Sequence, residues 1–177
     1  VVGAAIAKRV PYAVTIAEPD VEGQIAFARH AKQAGADWAI LQPPPGAGVP
    51  EGELRRHFGA IADRIELPVA IQNNPVNLAS SLSPDALVEL VKAHANIRLL
   101  KAEGWSVEIA RVIEACDGAV DAFGGHGGLE FVSLIRSGGA GLIPAPDCVA
   151  LQVAVFEGLR GGALSHRAVV HRRNGAG

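Results

Sequence analysis

Residues 67–103 read LPVAIQNNPVNLASSLSPDALVELVKAHANIRLLKAE, and this stretch decides the fold class. Val69-Ala70-Ile71 and Ile97-Arg98-Leu99-Leu100 are short apolar runs of strand type. Between them Leu87, Leu90, Val91 and His94 recur at i, i+3, i+4 and i+7, the spacing of an amphipathic helix. Ser83 can cap the free N–H groups at the start of that helix, and Pro84 fits its first turn. Near-continuous apolar strands of this kind suit a parallel sheet covered on both faces, with the helix as the crossover.

The same unit recurs on either side. Strand-type runs are expected at Tyr12-Ala13-Val14-Thr15-Ile16, Trp38-Ala39-Ile40-Leu41, Ala119 to Phe123, and Gly141-Leu142-Ile143. Leu54, Phe58, Ile61 and Ile65 mark another amphipathic helix, Asp20 is a helix N-cap, and Gly35 suits a left-handed C-terminal position. Strands begin roughly every 22 to 30 residues, the period of a βα unit. Six units are visible, against the eight that close a barrel. The expected class is therefore α/β, either an incomplete (β/α)8 barrel or an open doubly wound sheet. A dinucleotide-binding version of the latter needs G-x-G-x-x-G after a strand, but Gly124-Gly125-His126-Gly127-Gly128-Leu129-Glu130 puts Glu130 where the third glycine belongs. No Walker loop is present. One domain is expected over residues 1–162, a partial barrel carrying the catalytic site. A frayed or disordered tail is expected over 163–177, where apolar periodicity is lost.

Composition narrows the function class. Hydrophobic residues are 49%, enough for a sizeable core, and a net charge of -2 with Lys+Arg 16 against Asp+Glu 18 gives no basic footprint for nucleic acid. Val1 to Ala7 is apolar, but Lys8 and Arg9 follow it and it is too short to span a bilayer, so neither a signal peptide nor a membrane anchor is expected. Cys116 and Cys148 stand singly, without metal-site or disulfide spacing, and a reducing cytoplasmic setting is the expectation. The chain has no methionine and opens in what reads as the end of a helix, so N-terminal incompleteness is expected.

In parallel α/β folds the chemistry lies at the carboxyl ends of the strands. Those positions hold Thr15 and Glu18, Gln42, Gln72 with Asn73, Lys101 with Glu103, Gly124 with Gly125, and Pro144. Lys101 is the one lysine among them, and a lysine in a barrel mouth is shielded from water, which favours the uncharged amine that attacks a carbonyl. The bland reading is a lysine that snorkels to solvent or pairs with Glu103. Gln72-Asn73-Asn74-Pro75 offers short polar groups to orient a hydroxyl or a water, or else simply starts a loop. The N–H groups of Gly124, Gly125, His126, Gly127 and Gly128 could hold an anionic ligand group, or else form a tight turn. Of the six histidines, His30, His57 and His94 fall in expected helices and His126, His166 and His171 in turns or the tail; none shows metal-ligand spacing.

Taken in order, Leu67-Pro68-Val69-Ala70-Ile71-Gln72-Asn73-Asn74-Pro75, Leu82-Ser83-Pro84 and Leu100-Lys101-Ala102-Glu103-Gly104 resemble the dihydrodipicolinate synthase and N-acetylneuraminate lyase superfamily. Ala34-Gly35-Ala36-Asp37, Gln42-Pro43-Pro44-Pro45 and Gly138 to Pro144 extend the resemblance over residues 1 to about 162. It implies a class I aldolase-type (β/α)8 barrel whose strands three to eight are present here. It also implies Lys101 as the Schiff-base lysine, no metal or organic cofactor, a 2-keto acid substrate and a homo-oligomer, often a tetramer.

Two departures refine this. Gln72 stands where the superfamily usually has a proton-relaying tyrosine, and the one tyrosine, Tyr12, is on another strand. With Lys101-Ala102-Glu103, this looks like the 2-keto-3-deoxypentonate (L-2-keto-3-deoxyarabonate) dehydratase branch, which implies acid-base roles for Gln72 and Glu103. The Gly-Thr-Thr-Gly-Glu-like loop that holds the substrate carboxylate has no counterpart in the 177 residues. The expected activity is dehydration of a 2-keto-3-deoxy sugar acid, with Lys101, Glu103 and Gln72 catalytic and Asn73, Gly124, Gly125, His126 and Gly127 binding substrate. The alternatives are a pyruvate-dependent aldolase or synthase of the same family, and an inactive fragment or non-catalytic binding remnant.

Overall fold

The computed structural model describes residues 2–46 and 48–161, so the tail expected over 163–177 lies outside the described residues. Six strands form one parallel sheet: β1 (Ala13–Ile16), β2 (Trp38–Leu41), β3 (Val69–Asn73), β4 (Ile97–Ala102), β5 (Asp121–Gly124) and β6 (Gly141–Leu142). Their spatial order is their chain order, β1-β2-β3-β4-β5-β6. A doubly wound sheet reverses direction at a switch point, whereas an unbroken order is the winding of a barrel wall. The six strands are thus an arc of a (β/α) barrel.

After a short helix α1 (Val2–Ile6), each gap between strands holds one crossover helix: α2 (Val21–Gln33), α3 (Glu51–Ala62), α4 (Pro84–Ala93), α5 (Ser106–Cys116) and α6 (Phe131–Arg136). Helix α7 (Val149–Arg160) follows β6. The sequence signals for helix ends act as expected. Asp20 accepts a bond from the Gly23 N–H and Ser83 from the Ala86 N–H, Pro84 opens α4, and Gly35 takes the left-handed conformation (φ 88°) just beyond α2. His94 departs from expectation. Helix α4 stops at Ala93, and His94 turns extended so that its Nδ1 meets Asp63 Oδ1 at 2.7 Å over the Cα of Gly59.

The two faces of the sheet differ. One row across it, Ile16, Leu41, Ile71, Leu100 and Ala122, is at most 1% exposed and packs under the helices. Full burial of each Ile or Leu there contributes about 1.5–3 kcal/mol. The next row, Thr15, Ile40, Ala70, Leu99 and Asp121, lines the opposite, concave face, with exposed Thr15 and Asp121 towards its ends. Trp38 and Phe123 stack on each other, centroids 5.9 Å apart. One step nearer the carboxyl ends on the concave face lie Gln72, Lys101, Phe123 and Gly141.

The register of β3 with β4 carries a bulge. Val69 pairs with Ile97, but Ala70 pairs with Leu99, so exposed Arg98 has no partner residue on β3. Because side chains alternate along a strand, this one extra residue moves every later side chain of β4 to the other face. Were Arg98 paired with Ala70 in an unbroken ladder, Lys101 would lie opposite Asn73 and follow Ile97 onto the helix-covered face. With Arg98 bulged out, Lys101 emerges on the concave face opposite Gln72.

Among the described residues, no helix is long and apolar enough to cross a membrane.

Candidate active site

Lys101 lies within β4, one residue before the strand ends, and Glu103 just beyond it. Glu103 is fixed by its own backbone, whose N–H donates to the Asn73 carbonyl at 2.8 Å. Its carboxylate is turned back over the concave face, where Oε1 lies 3.3 Å from Lys101 Nζ. Both side chains are sheltered, at 17% exposure for Lys101 and 10% for Glu103. An ammonium and a carboxylate buried side by side are held by charge-assisted contact and available for proton exchange.

The second oxygen of Glu103 is the acceptor for two amides. Gln72 Nε2 donates to Oε2 at 3.4 Å, and Asn74 Nδ2 donates to the same oxygen. The orientation of each amide is set from behind. Gln42 Nε2 donates to Gln72 Oε1 at 2.9 Å, which leaves the Gln72 NH2 facing Glu103. The Asn77 N–H donates to Asn74 Oδ1 at 3.0 Å, which does the same for Asn74. Gln42 is tied in turn to fully buried Gln24, whose Nε2 donates to the Gln42 carbonyl at 3.3 Å and the Glu18 carbonyl at 2.9 Å. A polar chain thus runs along the carboxyl ends of β1 to β4 and ends on the Lys101–Glu103 pair.

Gly125 closes the other side. A Cβ built on it would lie 2.2 Å from Glu103 Oε1 and 2.6 Å from Glu103 Cγ, a space that only glycine leaves open. The remaining site residues expected from the sequence lie further from the pair. Gly124 packs against Leu134 and Leu142, where a Cβ would approach within 2.9 Å. His126 (φ 52°) and exposed Gly127 (φ 64°) form the left-handed outer part of the turn, with His126 beside Glu130. Glu130 accepts from the Ser106 hydroxyl and from the Ser106 N–H at the start of α5, and these bonds, the hydroxyl's first, hold its carboxyl below the usual range. Asn73 clamps a loop, donating to the Leu82 carbonyl and accepting the Leu82 N–H.

Tyr12 is remote from this cluster. Its hydroxyl donates to the Ala34 carbonyl at 2.7 Å, next to the start of β1, so it offers no relay at the carboxyl ends. A cleft of about 430 Å3 lies behind the sheet between α4 and α5, where it meets outward-facing Leu100 and Ala102 rather than Lys101. Among the described residues, no group of three His, Cys, Asp or Glu side chains is placed to hold a metal ion.

Sequence reasoning singled out Lys101, Glu103, Gln72 and Gly125, and the fold brings these four together. It gave Asn74 no role of its own beyond its place in Gln72-Asn73-Asn74-Pro75, and Gln42 none beyond its strand-end position. Their direction along the polar chain has no local sequence signal, because it depends on contacts between residues about 30 positions apart.

No protein-family model matches the chain. Relatives with established names do. The 4-hydroxy-tetrahydrodipicolinate synthase of Agrobacterium fabrum (strain C58) is 30% identical over 172 residues, which cover 91% of this chain and 57% of that enzyme. The synthase of the same name from Syntrophobacter fumaroxidans is 30% identical, over 81% of this chain and 49% of that enzyme. Among solved structures, YagE, an E. coli K12 prophage protein of the dihydrodipicolinic acid synthase family in complex with pyruvate, superimposes with a TM-score of 0.86 at 25% identity. That match covers 97% of this chain and 59% of YagE. The chloride-inhibited dihydrodipicolinate synthase of Acinetobacter baumannii, complexed with pyruvate, gives 0.82 at 25% identity, over 89% and 55% of the two chains. The chain spans about half the length of the curated relatives it matches. The chain is thus similar in sequence to 4-hydroxy-tetrahydrodipicolinate synthases and in fold to structures of the dihydrodipicolinate synthase family.

Proposed function

We propose that the protein is a Schiff-base-forming lyase that dehydrates a 2-keto-3-deoxy sugar acid. The observation that carries this reading is the pairing of Lys101 with Glu103, 3.3 Å apart and sheltered at the carboxyl end of β4. Lys101 Nζ attacks the C2 carbonyl and expels water to form an iminium. The iminium withdraws electrons, so a C3 proton passes to Glu103 while the C3–H electron pair becomes the C2–C3 double bond of an enamine. The enamine pair then expels the C4 hydroxyl, which leaves as water on taking a proton from Glu103. Gln72, whose NH2 is turned towards Glu103, is placed to hold that water or hydroxyl. Covalent attachment to Lys101 supplies the electron sink, so the chemistry calls for no metal or organic cofactor. The turn beginning at Gly125 shapes the pocket, and Asn73, Gly124, His126 and Gly127 are proposed as further substrate-binding positions.

A second reading is aldol cleavage or condensation with pyruvate. It is favoured by the names of the relatives, which are synthases, and by pyruvate in the complexes of YagE and the A. baumannii enzyme. Gln72 in place of a relay tyrosine, with Tyr12 remote, favours dehydration. A cytoplasmic homo-oligomer, such as a tetramer, completes the proposal.

The test is borohydride reduction of the full-length gene product in the presence of pyruvate, with the adduct mapped by mass spectrometry. The expected product is a reduced pyruvyl adduct on Lys101. An adduct on another lysine, or none, overturns the reading. Comparing semialdehyde formation with pyruvate release from a 2-keto-3-deoxypentonate separates the two activities.

A further inference from the structure

The two oxygens of Glu103 are not equivalent. Oε2 accepts from both Gln72 Nε2 and Asn74 Nδ2, whereas Oε1 faces Lys101 Nζ and lies against Gly125. An oxygen that accepts two N–H bonds has its lone pairs engaged and is held as the unprotonated one. Asn74 is the firmer of the two donors. It is 6% exposed, and its Oδ1 accepts the backbone N–H of Asn77 at 3.0 Å and the Asn77 side-chain amide at 3.1 Å. A backbone donor cannot be flipped, so the Asn74 amide has one workable orientation, with NH2 on Glu103. The main-chain bonds of Asn77 N and Leu78 N to the Asn74 carbonyl, at 3.3 and 2.8 Å, hold the turn itself.

We propose that Asn74 is a positioning residue that locks Oε2 of Glu103 as a pure acceptor and so makes Oε1 the oxygen that carries the proton. The proposal rests on the reading of Glu103 as the acid-base group. In the step concerned, the C3–H bond of the Lys101 iminium breaks, its electron pair forms the C2–C3 double bond, the C2–N π pair moves onto nitrogen, and the proton bonds to Oε1. With pyruvate alone as the ligand, reversal of this step in D2O exchanges the methyl protons for deuterium. Asn74 contributes direction to this step and nothing to imine formation.

The experiment uses the full-length gene product with pyruvate in D2O, methyl exchange followed by proton NMR, and borohydride trapping at Lys101 measured alongside. Asn74→Asp keeps the oxygen that accepts the Asn77 N–H but loses the donor to Glu103. It is expected to lower exchange at least tenfold while trapping at Lys101 stays at the level of the unsubstituted protein. Added to Glu103→Gln, it is expected to cause no further loss, as for two residues that act as a unit. Should Asn74→Asp fail to fold, Asn74→Ser, whose hydroxyl still accepts the turn N–H, carries the same expectations. Unchanged exchange, loss of exchange and trapping together in a folded variant, or losses that add to that of Glu103→Gln each overturn the proposal. Failure of the underlying reading looks different: the unsubstituted protein traps no pyruvate, or Glu103→Gln exchanges at the full rate, before any Asn74 variant is considered.

Discussion

Lys101 lies opposite Gln72 in the ladder between β3 and β4, and it does so because Arg98 is an extra residue with no partner on β3. The bulge converts a lysine that would have pointed under the helices into one that faces Glu103. Bulges recur next to active sites because one residue is enough to re-aim everything after it.

Deleting Arg98 removes the bulge but leaves Leu99, Leu100 and Lys101 opposite Ala70, Ile71 and Gln72, so trapping of pyruvate at Lys101 is expected to persist. Deleting Arg98 and Leu99 together brings Lys101 opposite Ile71, into the buried row that holds Leu100, and trapping is expected to disappear. Arg98→Ala keeps the residue count and is expected to trap pyruvate normally, which separates register from side-chain chemistry. Mass spectrometry after borohydride reduction reads all three variants.

Much of this arrangement was legible in the sequence. The period of the apolar runs, the caps at Asp20 and Ser83 and the glycine at Gly35 mark βα units, and position after a strand singles out Lys101, Glu103 and Gln72. The bulge was not, because Ile97-Arg98-Leu99-Leu100 shows no feature that tells which of its residues goes unpaired; only the competing burial of Ile97 and Leu100 under the helices decides it. Nor was the end of α4 at Ala93, since His94 fits the helical period and leaves the helix to reach Asp63, 31 residues earlier. The amide orientations of Gln42, Gln72 and Asn74 are tertiary in the same way.

Gly125→Ala tests the packing around the carboxylate. A methyl group 2.2 Å from Glu103 Oε1 forces the carboxylate away from Lys101. Turnover is expected to fall at least tenfold, while the thermal transition moves by only a few degrees. Steady-state kinetics beside a melting curve check the pair of outcomes.

Glu103→Gln retains the shape of the side chain and a hydrogen-bonding head but removes the proton carrier. Turnover is expected to fall by about 100-fold, the scale of lost acid-base catalysis. Imine trapping at Lys101 is expected to persist, because the amine and the carbonyl are untouched. Glu103→Asp, which withdraws the carboxylate by one methylene, is expected to recover part of the rate.

His57 gives a prediction about acid stability. Its ring meets Phe58 edge-on, and its Nε2 is buried with no hydrogen-bond partner among the described residues. Burial pushes its pKa below the ordinary value of 6.5, with the Asp20 carboxylate opposing the shift more weakly. The sign follows from where the proton binds. Above 6.5 the imidazole is neutral in both folded and unfolded chains, and the site contributes no pH dependence. As pH falls below 6.5 the unfolded chain takes up the proton first, so stability is lost progressively until pH reaches the depressed folded value, and then levels off. His57→Phe keeps an aromatic ring against Phe58 and removes the titrating group and its unpaired nitrogen. The variant is expected to melt at a temperature that changes less between pH 7.5 and 5.5 than that of the unsubstituted protein. Other titrating groups, such as Glu51 with its lowered pKa from the Ser83 N–H, act equally on both proteins and cancel in the difference. A pH dependence of melting identical in the two proteins would show that His57 takes up its proton in the folded state as readily as in the unfolded one.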